Sequence, residues 1–104
     1  MNENSIIPSG EPLPGEYETL SREELHRRLK TYIAGMLEHN FEKLCNMMYR
    51  HDVSEHKFNK ALDARDPEAQ ADLLADLVIE RELQKMETRK AYRRDRTGGV
   101  HDTE

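Results

Sequence analysis

Apolar residues recur every three to four positions between residues 20 and 86, the spacing that places them on one side of a helix. The first stripe begins behind a capping box formed by Ser21 and Glu24, with Leu20 and Leu25 as a hydrophobic staple. Gly35 lies inside the stripe, where it costs about 1 kcal/mol relative to alanine and leaves room for another helix to approach. These signals predict a first helix with the apolar face Leu25, Leu29, Tyr32, Ile33, Met36 and Leu37.

A second stripe follows after His39 and Asn40. Taken together, the two stripes repeat at nearly four residues per turn, so they would drift around a single straight helix. Because asparagine favours helix caps, Asn40 predicts a break between two helices. The second apolar face consists of Phe41, Leu44, Cys45, Met48 and Tyr49.

N-cap residues predict two further helices. Ser54 is an N-cap four residues before Phe58, and this short helix ends near Asp63. Asp66 followed by Pro67 begins a last helix, which reaches about Arg93, roughly 40 Å at 1.5 Å per residue. Its large apolar residues divide between a broad face (Leu73, Leu74, Leu77, Val78) and a second stripe (Ile79, Leu83, Met86).

The pattern therefore predicts an all-α fold, a small bundle of three to four helices with a long C-terminal helix. No short β-branched run with a period of two suggests a strand. Residues 1–19 contain three prolines and several acidic residues, and we expect a disordered acidic, proline- and glycine-containing arm. The helical domain spans residues 20–93, and residues 94–104 form a flexible tail.

Composition limits the core and the compartment. The 104 residues are 36% hydrophobic and 36% charged, against a usual ~45–50% apolar and ~25% charged, so the core is thin. No apolar run is long enough to cross a membrane, and the acidic N-terminus does not resemble a secretory signal. Cys45 is the only cysteine, which excludes an intramolecular disulfide and favours a reducing cytoplasm.

Candidate catalytic and metal-binding residues do not form a recognisable constellation. His51 and Glu55 have the spacing of two helical metal ligands, but the cap at Ser54 interrupts the helix between them. Cys45 falls on an apolar stripe, where cysteine usually acts as a small buried hydrophobe. The sequence therefore predicts solvated surface histidines, no cofactor, no metal and no enzymatic activity.

Residues 41–62 also permit a helix-turn-helix interpretation, in which the helix after Ser54 would be a recognition helix. Charge is the difficulty, because Glu55 lies at the helix start and residues 25–84 carry nine basic against eleven acidic residues. The segment 85–96, with six basic and two acidic residues, could supply the missing charge, although cations near a helix C-terminus need no ligand. The residues that would contact nucleic acid are Lys57, Lys60, Arg89, Lys90, Arg93 and Arg94.

The apolar stripes favour a different function. Because one face of the last helix can pack on the preceding helices, the second stripe of Ile79, Leu83 and Met86 requires another partner. A two-fold homodimer is the simplest way to cover it, although a monomer in which the earlier helices wrap both sides is possible. We therefore expect a homodimeric, non-enzymatic protein-interaction module, with helix-turn-helix DNA binding as the alternative.

Three segments resemble a group of short, uncharacterised, all-helical bacterial proteins. They are residues 41–44 (FEKL), 49–57 (YRHDVSEHK) and 79–85 (IERELQK), so the resemblance covers roughly the helical domain and neither end. It implies an all-helical, cytoplasmic and non-enzymatic protein, and it transfers no catalytic residue.

Overall fold

The computed structural model describes residues 10–102, and the side chains of residues 10–92. All regular secondary structure in residues 10–102 is helical, and the chain ends in a long helix, so the predicted fold class is confirmed. No helix in this range is both long and apolar enough to cross a membrane. The helices are α1 (Glu16–Thr19), α2 (Arg22–His39), α3 (Phe41–Arg50), α4 (Glu55–Leu62) and α5 (Pro67–Asp102).

Side-chain caps define the helix boundaries. The hydroxyl of Ser21 accepts the backbone N–H of Glu24, and Ser54 and Asp66 cap α4 and α5 in the same way. Asn40 serves two helices, because its backbone N–H donates to the carbonyl of Met36 while its side chain accepts the N–H of Lys43. The predicted break at Asn40 is therefore confirmed.

Helices α2 and α5 pack antiparallel, and a ladder of charges fixes their direction. Arg22 lies within 4.0 Å of Asp76 and Glu80, whereas Lys30, two turns later on α2, lies within 3.9 Å of Asp72 and reaches Glu68. His26 is placed between them, 2.9 Å from Asp72 Oδ1. Exposed ion pairs contribute little to stability, so the ladder acts mainly by selecting the register of the two helices.

The core is built mainly from the facing surfaces of α2, α3 and α5, to which Tyr17 of α1 and Phe58 and Ala61 of α4 add. The largest fully buried side chains come from all three helices, and small alanines at positions 71 and 75 let α5 approach closely. These largest side chains are Leu29, Ile33, Leu44, Met47, Leu74, Val78 and Ile79.

The predicted outward stripe on the last helix is wrong for Ile79, which is 1% exposed and belongs to the core. Ala71, Ala75 and Ile79 follow each other at four-residue intervals, so they form one face of α5. The predicted faces of the last helix were defined by its large apolar residues, so the two alanines that extend the buried face to Ile79 did not contribute to them. Leu73, which the sequence predicts on the broad packing face, is 45% exposed on the side of α5 opposite these alanines.

The N-terminal arm is also ordered further than predicted. Residues 10–20, which we call the strap, lie against the helical body, and Pro12 and Tyr17 are buried. The prolines prevent a long helix, as expected, but the single turn α1 after Pro14 and the burial of Tyr17 dock the segment. Disorder is therefore the wrong prediction for residues 10–19, and residues 1–9 lie outside the described part.

At the other end, α5 continues past Arg93 to Asp102. The sequence analysis predicted a flexible tail from residue 94, a segment that contains Gly98 and Gly99. Glycine weakens a helix interior by about 1 kcal/mol but ends a helix mainly where its φ is positive. Gly98 and Gly99 both lie within α5, so neither ends the helix. Residues 103–104 lie outside the described part.

Gly35 does not mark a close helix contact. It is exposed on α2, and a Cβ added there would meet no atom within 4 Å. We expect Gly35→Ala to raise the free energy of unfolding by about 1 kcal/mol, because alanine loses less backbone entropy in a helix. Urea denaturation followed by circular dichroism checks this, and an unchanged or lower midpoint would contradict it.

Candidate functional site

A buried histidine joins the strap to two helices. His51 is the C-cap residue of α3 and is 7% exposed. Its Nδ1 lies 2.7 Å from Glu82 Oε2 on α5, and its Nε2 lies 2.8 Å from Glu11 Oε2 on the strap. We call these three residues the histidine clamp. The prediction that all histidines are solvated is therefore wrong at His51.

Each carboxylate of the clamp also has a second cation. Arg50 donates to both oxygens of Glu11, at 3.3 and 3.0 Å, and Lys85 Nζ lies 3.3 Å from Glu82 Oε2. A neutral imidazole has one N–H and one lone pair, whereas the imidazolium has two N–H groups. Since each ring nitrogen faces a carboxylate oxygen, the clamp is fully hydrogen-bonded only when His51 is protonated.

The local electrostatics keep both carboxylates ionised. Burial raises the pKa of Glu11, but hydrogen bonds from Arg50 and His51 outweigh it and leave the pKa below its usual 4.5. The same balance applies to Glu82. Burial raises its pKa, but hydrogen bonds from His51 and Lys85 outweigh burial and leave the pKa below 4.5.

Tyr17 of the strap lies beside the ring of His51. Its ring centroid lies 6.0 Å from that of His51, and its buried hydroxyl has no hydrogen-bond partner among the described residues. Burial, followed by the charges of Glu11 and Glu82, raises the pKa of this hydroxyl, so Tyr17 stays neutral. A cavity of about 330 Å³ lies here, lined by the clamp, Tyr17, Arg50 and residues 12–14.

The clamp residues point at one another and not at a common ligand position. In the part of the chain that the structure describes, no three His, Cys, Asp or Glu side chains converge where a metal ion could sit. The arrangement ties the strap, α3 and α5 together by charge-assisted hydrogen bonds.

A second feature is an apolar groove between α3 and α4, with a volume of about 520 Å³. The rings of Phe41 and Phe58 stack across it with centroids 6.2 Å apart. Its rim carries large exposed side chains, since Tyr49 is 86% and Phe41 45% exposed. The apolar residues that line it are Phe41, Cys45, Met48, Tyr49, Val53, Phe58 and Leu62.

The turn between α3 and α4 contains one residue in a left-handed conformation. Asp52 has a φ of 63°, in the left-handed region where a turn glycine is usual. Arg81 holds it from α5, donating to its backbone carbonyl at 3.1 Å and to its Oδ2 at 2.8 Å. An asparagine-like short polar side chain tolerates this conformation, so Asp52 replaces the glycine at small cost.

Of the six predicted nucleic-acid contacts, the structure describes the side chains of four, and these four lie in two separate places. Lys57 and Lys60 are exposed on α4, beside a groove that Asp76 and Glu80 also line. Arg89 and Lys90 are exposed on α5, roughly 14 Å further along the helix axis than Glu80 at 1.5 Å per residue. The side chains of Arg93 and Arg94 lie outside the described residues.

Of the predicted interaction stripe, the structure leaves Leu83 37% exposed and Met86 partly covered, while Ile79 is buried. The exposed aromatic rim of the groove was not identified from the sequence. Tyr49 lies on the same amphipathic stripe as Leu44 and Met48, and its position at the edge of that stripe was the available signal.

Three comparisons, with protein-family models, with curated proteins and with solved structures, found no match for this chain. The resemblance of residues 41–57 and 79–85 to short helical bacterial proteins therefore stays a prediction from the sequence.

Proposed function

We propose that this chain is a small, non-enzymatic protein-interaction module that forms a homodimer through the apolar groove between α3 and α4. The observation that carries the proposal is the exposure of Tyr49 and Phe41 at the rim of that groove. A two-fold interface uses the same patch on both copies, so it needs a projection and a recess on one face. Tyr49 provides the projection and the groove provides the recess.

The area argument agrees with a dimer whose centre is this aromatic pair. A fully buried Phe or Tyr contributes roughly 150–250 Å², so the exposed parts of the two rings supply about a third of the ~800 Å² that a standard interface buries per partner. Polar residues on the outer faces of α3 and α4 would supply the remainder, as the polar rim around an apolar centre does in other interfaces. Tyrosine is also among the residue types that dominate binding energy.

The groove is a better candidate than the stripe on α5. With Ile79 buried in the core, that stripe retains Leu83 and the partly covered Met86. The groove instead combines two exposed aromatic rings with the half-buried Cys45, Val53 and Leu62. We therefore assign the dimer interface to α3 and α4.

The absence of an enzymatic role remains part of the proposal, supported by the way the reactive groups are used. Both ring nitrogens of His51 are engaged by carboxylates, and Cys45 lies in the apolar wall of the groove. A reducing cytoplasm suits this unpaired thiol.

DNA binding is the weaker candidate. Affinity for DNA depends on cations that neutralise phosphates, and Lys57 and Lys60 share their groove with two carboxylates. The turn at Asp52 does not outweigh this, because two helices joined by a short turn are common in helical domains.

Light scattering coupled to size exclusion tests the dimer. At roughly 100 μM, well above a micromolar dissociation constant, we expect twice the monomer mass of 12.2 kDa. Tyr49→Asp places a charge at the centre of the interface and should give the monomer mass. Because Tyr49 is exposed, the Tyr49→Asp variant should keep the circular dichroism spectrum of a helical protein.

Leu83→Asp is the matched control, because it adds the same charge to the other exposed apolar site. It should remain dimeric. A monomeric wild-type protein would refute the homodimer, and a monomeric Leu83→Asp beside a dimeric Tyr49→Asp would move the interface to α5.

A further inference from the structure

We propose that His51 is a proton-operated latch, which holds the strap on the helical body when the ring is protonated and releases it when the ring is neutral. The inference rests on the meeting of three elements at one buried ring. Glu11 comes from the strap, His51 from the end of α3 and Glu82 from α5. It is independent of the proposed dimer.

The strap has few described attachments, and one of them is made to a histidine. Glu11 contacts Arg50 and His51, Glu16 lies 3.2 Å from Arg28, and Tyr17 is buried. Arginine stays charged at every relevant pH, whereas histidines change charge mainly between pH 5 and 8. The contact between Glu11 and His51 is therefore the one that a change of pH in this range would alter.

Hydrogen-bond accounting gives the direction of the switch. The protonated ring donates one N–H to Glu11 and one to Glu82. After it loses a proton, one of the two carboxylates faces a ring lone pair at under 3 Å, which is repulsive. Glu82 retains Lys85 and Glu11 retains Arg50, so the two carboxylates differ mainly in the elements that carry them. Glu82 lies on the long helix α5, whereas Glu11 lies on the strap, whose only helix is the single turn α1, so the strap is the element that leaves.

Ionisable groups from three elements surround the ring. Glu11 and Tyr17 face it from the strap, Arg50 from α3, and Glu82 with Lys85 from α5. Both glutamates have a pKa below 4.5 and the pKa of Tyr17 is raised, so none of the three changes charge near neutrality. The charge of the imidazole ring then decides whether the clamp closes.

Release of the strap would uncover apolar surface. Tyr17 and Pro12 are buried, and the strap forms one wall of the cavity of about 330 Å³ beside His51. The strap thus covers this end of the core, and it leaves the core as the pH rises.

Hydrogen exchange measured by mass spectrometry on the full chain tests the latch. After correction for intrinsic exchange rates, protection of residues 10–20 should fall roughly tenfold between about pH 5.5 and about pH 8, the equivalent of one charge-assisted hydrogen bond. Protection of α2 residues should change less, because they belong to the core.

Glu11→Gln is the informative variant. A glutamine amide can accept from a ring N–H or donate to a ring lone pair, so strap protection should lose its dependence on pH. Glu18→Gln is the matched control, since it makes the same change at an exposed position of the strap and should retain the wild-type response.

Two results would overturn the latch. One is strap protection in the wild type that does not vary between these pH values. The other is a pH response that survives in Glu11→Gln and disappears in His26→Gln, which would assign it to the contact of His26 with Asp72. A monomeric Tyr49→Asp variant should show the wild-type strap response, so failure of the dimer and failure of the latch are separable.

Discussion

Leu74→Ala is expected to lower the free energy of unfolding by about 2–5 kcal/mol, the usual cost of a buried Leu-to-Ala truncation. Leu74 has no exposed surface and lies at the centre of the core-facing side of α5. Small domains have a free energy of unfolding of about 5–15 kcal/mol, so in a chain with a thin core the Leu74→Ala variant should lose a large part of it. Urea denaturation of the wild type and the variant measures the difference.

Leu73→Ala is the matched control, because it makes the same change one residue earlier. Leu73 is half-exposed, and alanine has the better helix propensity, so the loss should stay below about 1 kcal/mol. Equal losses for the two variants would mean that α5 is rotated about its axis from the orientation described above. The pair therefore tests which face of α5 is buried.

Local signals explain why the helix boundaries could be predicted. Each cap at Ser21, Asn40, Ser54 and Asp66 bonds a backbone N–H three residues later, so both partners are visible in a short window of sequence. The predicted starts of α2, α4 and α5 and the break at Asn40 follow from these windows.

The errors have a common physical origin in contacts between distant residues. Glu11 and Glu82 lie 40 and 31 residues from His51, and nothing in the sequence around His51 indicates either of them. The burial of Ile79 depends on Ala71 and Ala75, which carry little hydrophobic signal but allow α5 to approach its neighbours. Sequence periodicity could therefore predict the bundle but not the clamp or the face of α5 that packs.

The ordered strap was missed for a related reason. Three prolines among residues 8–14 correctly exclude a long helix, but the absence of a helix does not imply the absence of a docked structure. Tyr17 and Glu11 fix this segment through contacts with residues of α3 and α5. A side chain as large as Tyr17 inside an otherwise polar arm was the signal available in the sequence.

His51→Ala is expected to lower the free energy of unfolding by about 2–4 kcal/mol near pH 6. Removing one member of a buried charged network leaves the others uncompensated, which usually costs 3–5 kcal/mol, and the partial exposure of Glu11 and Glu82 reduces this. The loss should shrink as the pH falls towards 4. In the wild type both glutamates have a lowered pKa, so their stabilising contribution is complete above 4.5 and is lost in acid.

His39→Ala is the control for this variant, because His39 is exposed at the end of α2 and its one described ion-pair contact is the neighbouring Glu38. It should change stability by less than about 0.5 kcal/mol at every pH. In His51→Ala, by contrast, Glu11 and Glu82 lose one of the hydrogen bonds that lower their pKa values, while burial still raises them. Both carboxylates are then protonated more easily than in the wild type, which is why acid should restore part of the lost stability. A loss for His51→Ala that equals that of His39→Ala, or that does not vary with pH, would show that the clamp does not hold the strap, α3 and α5 together.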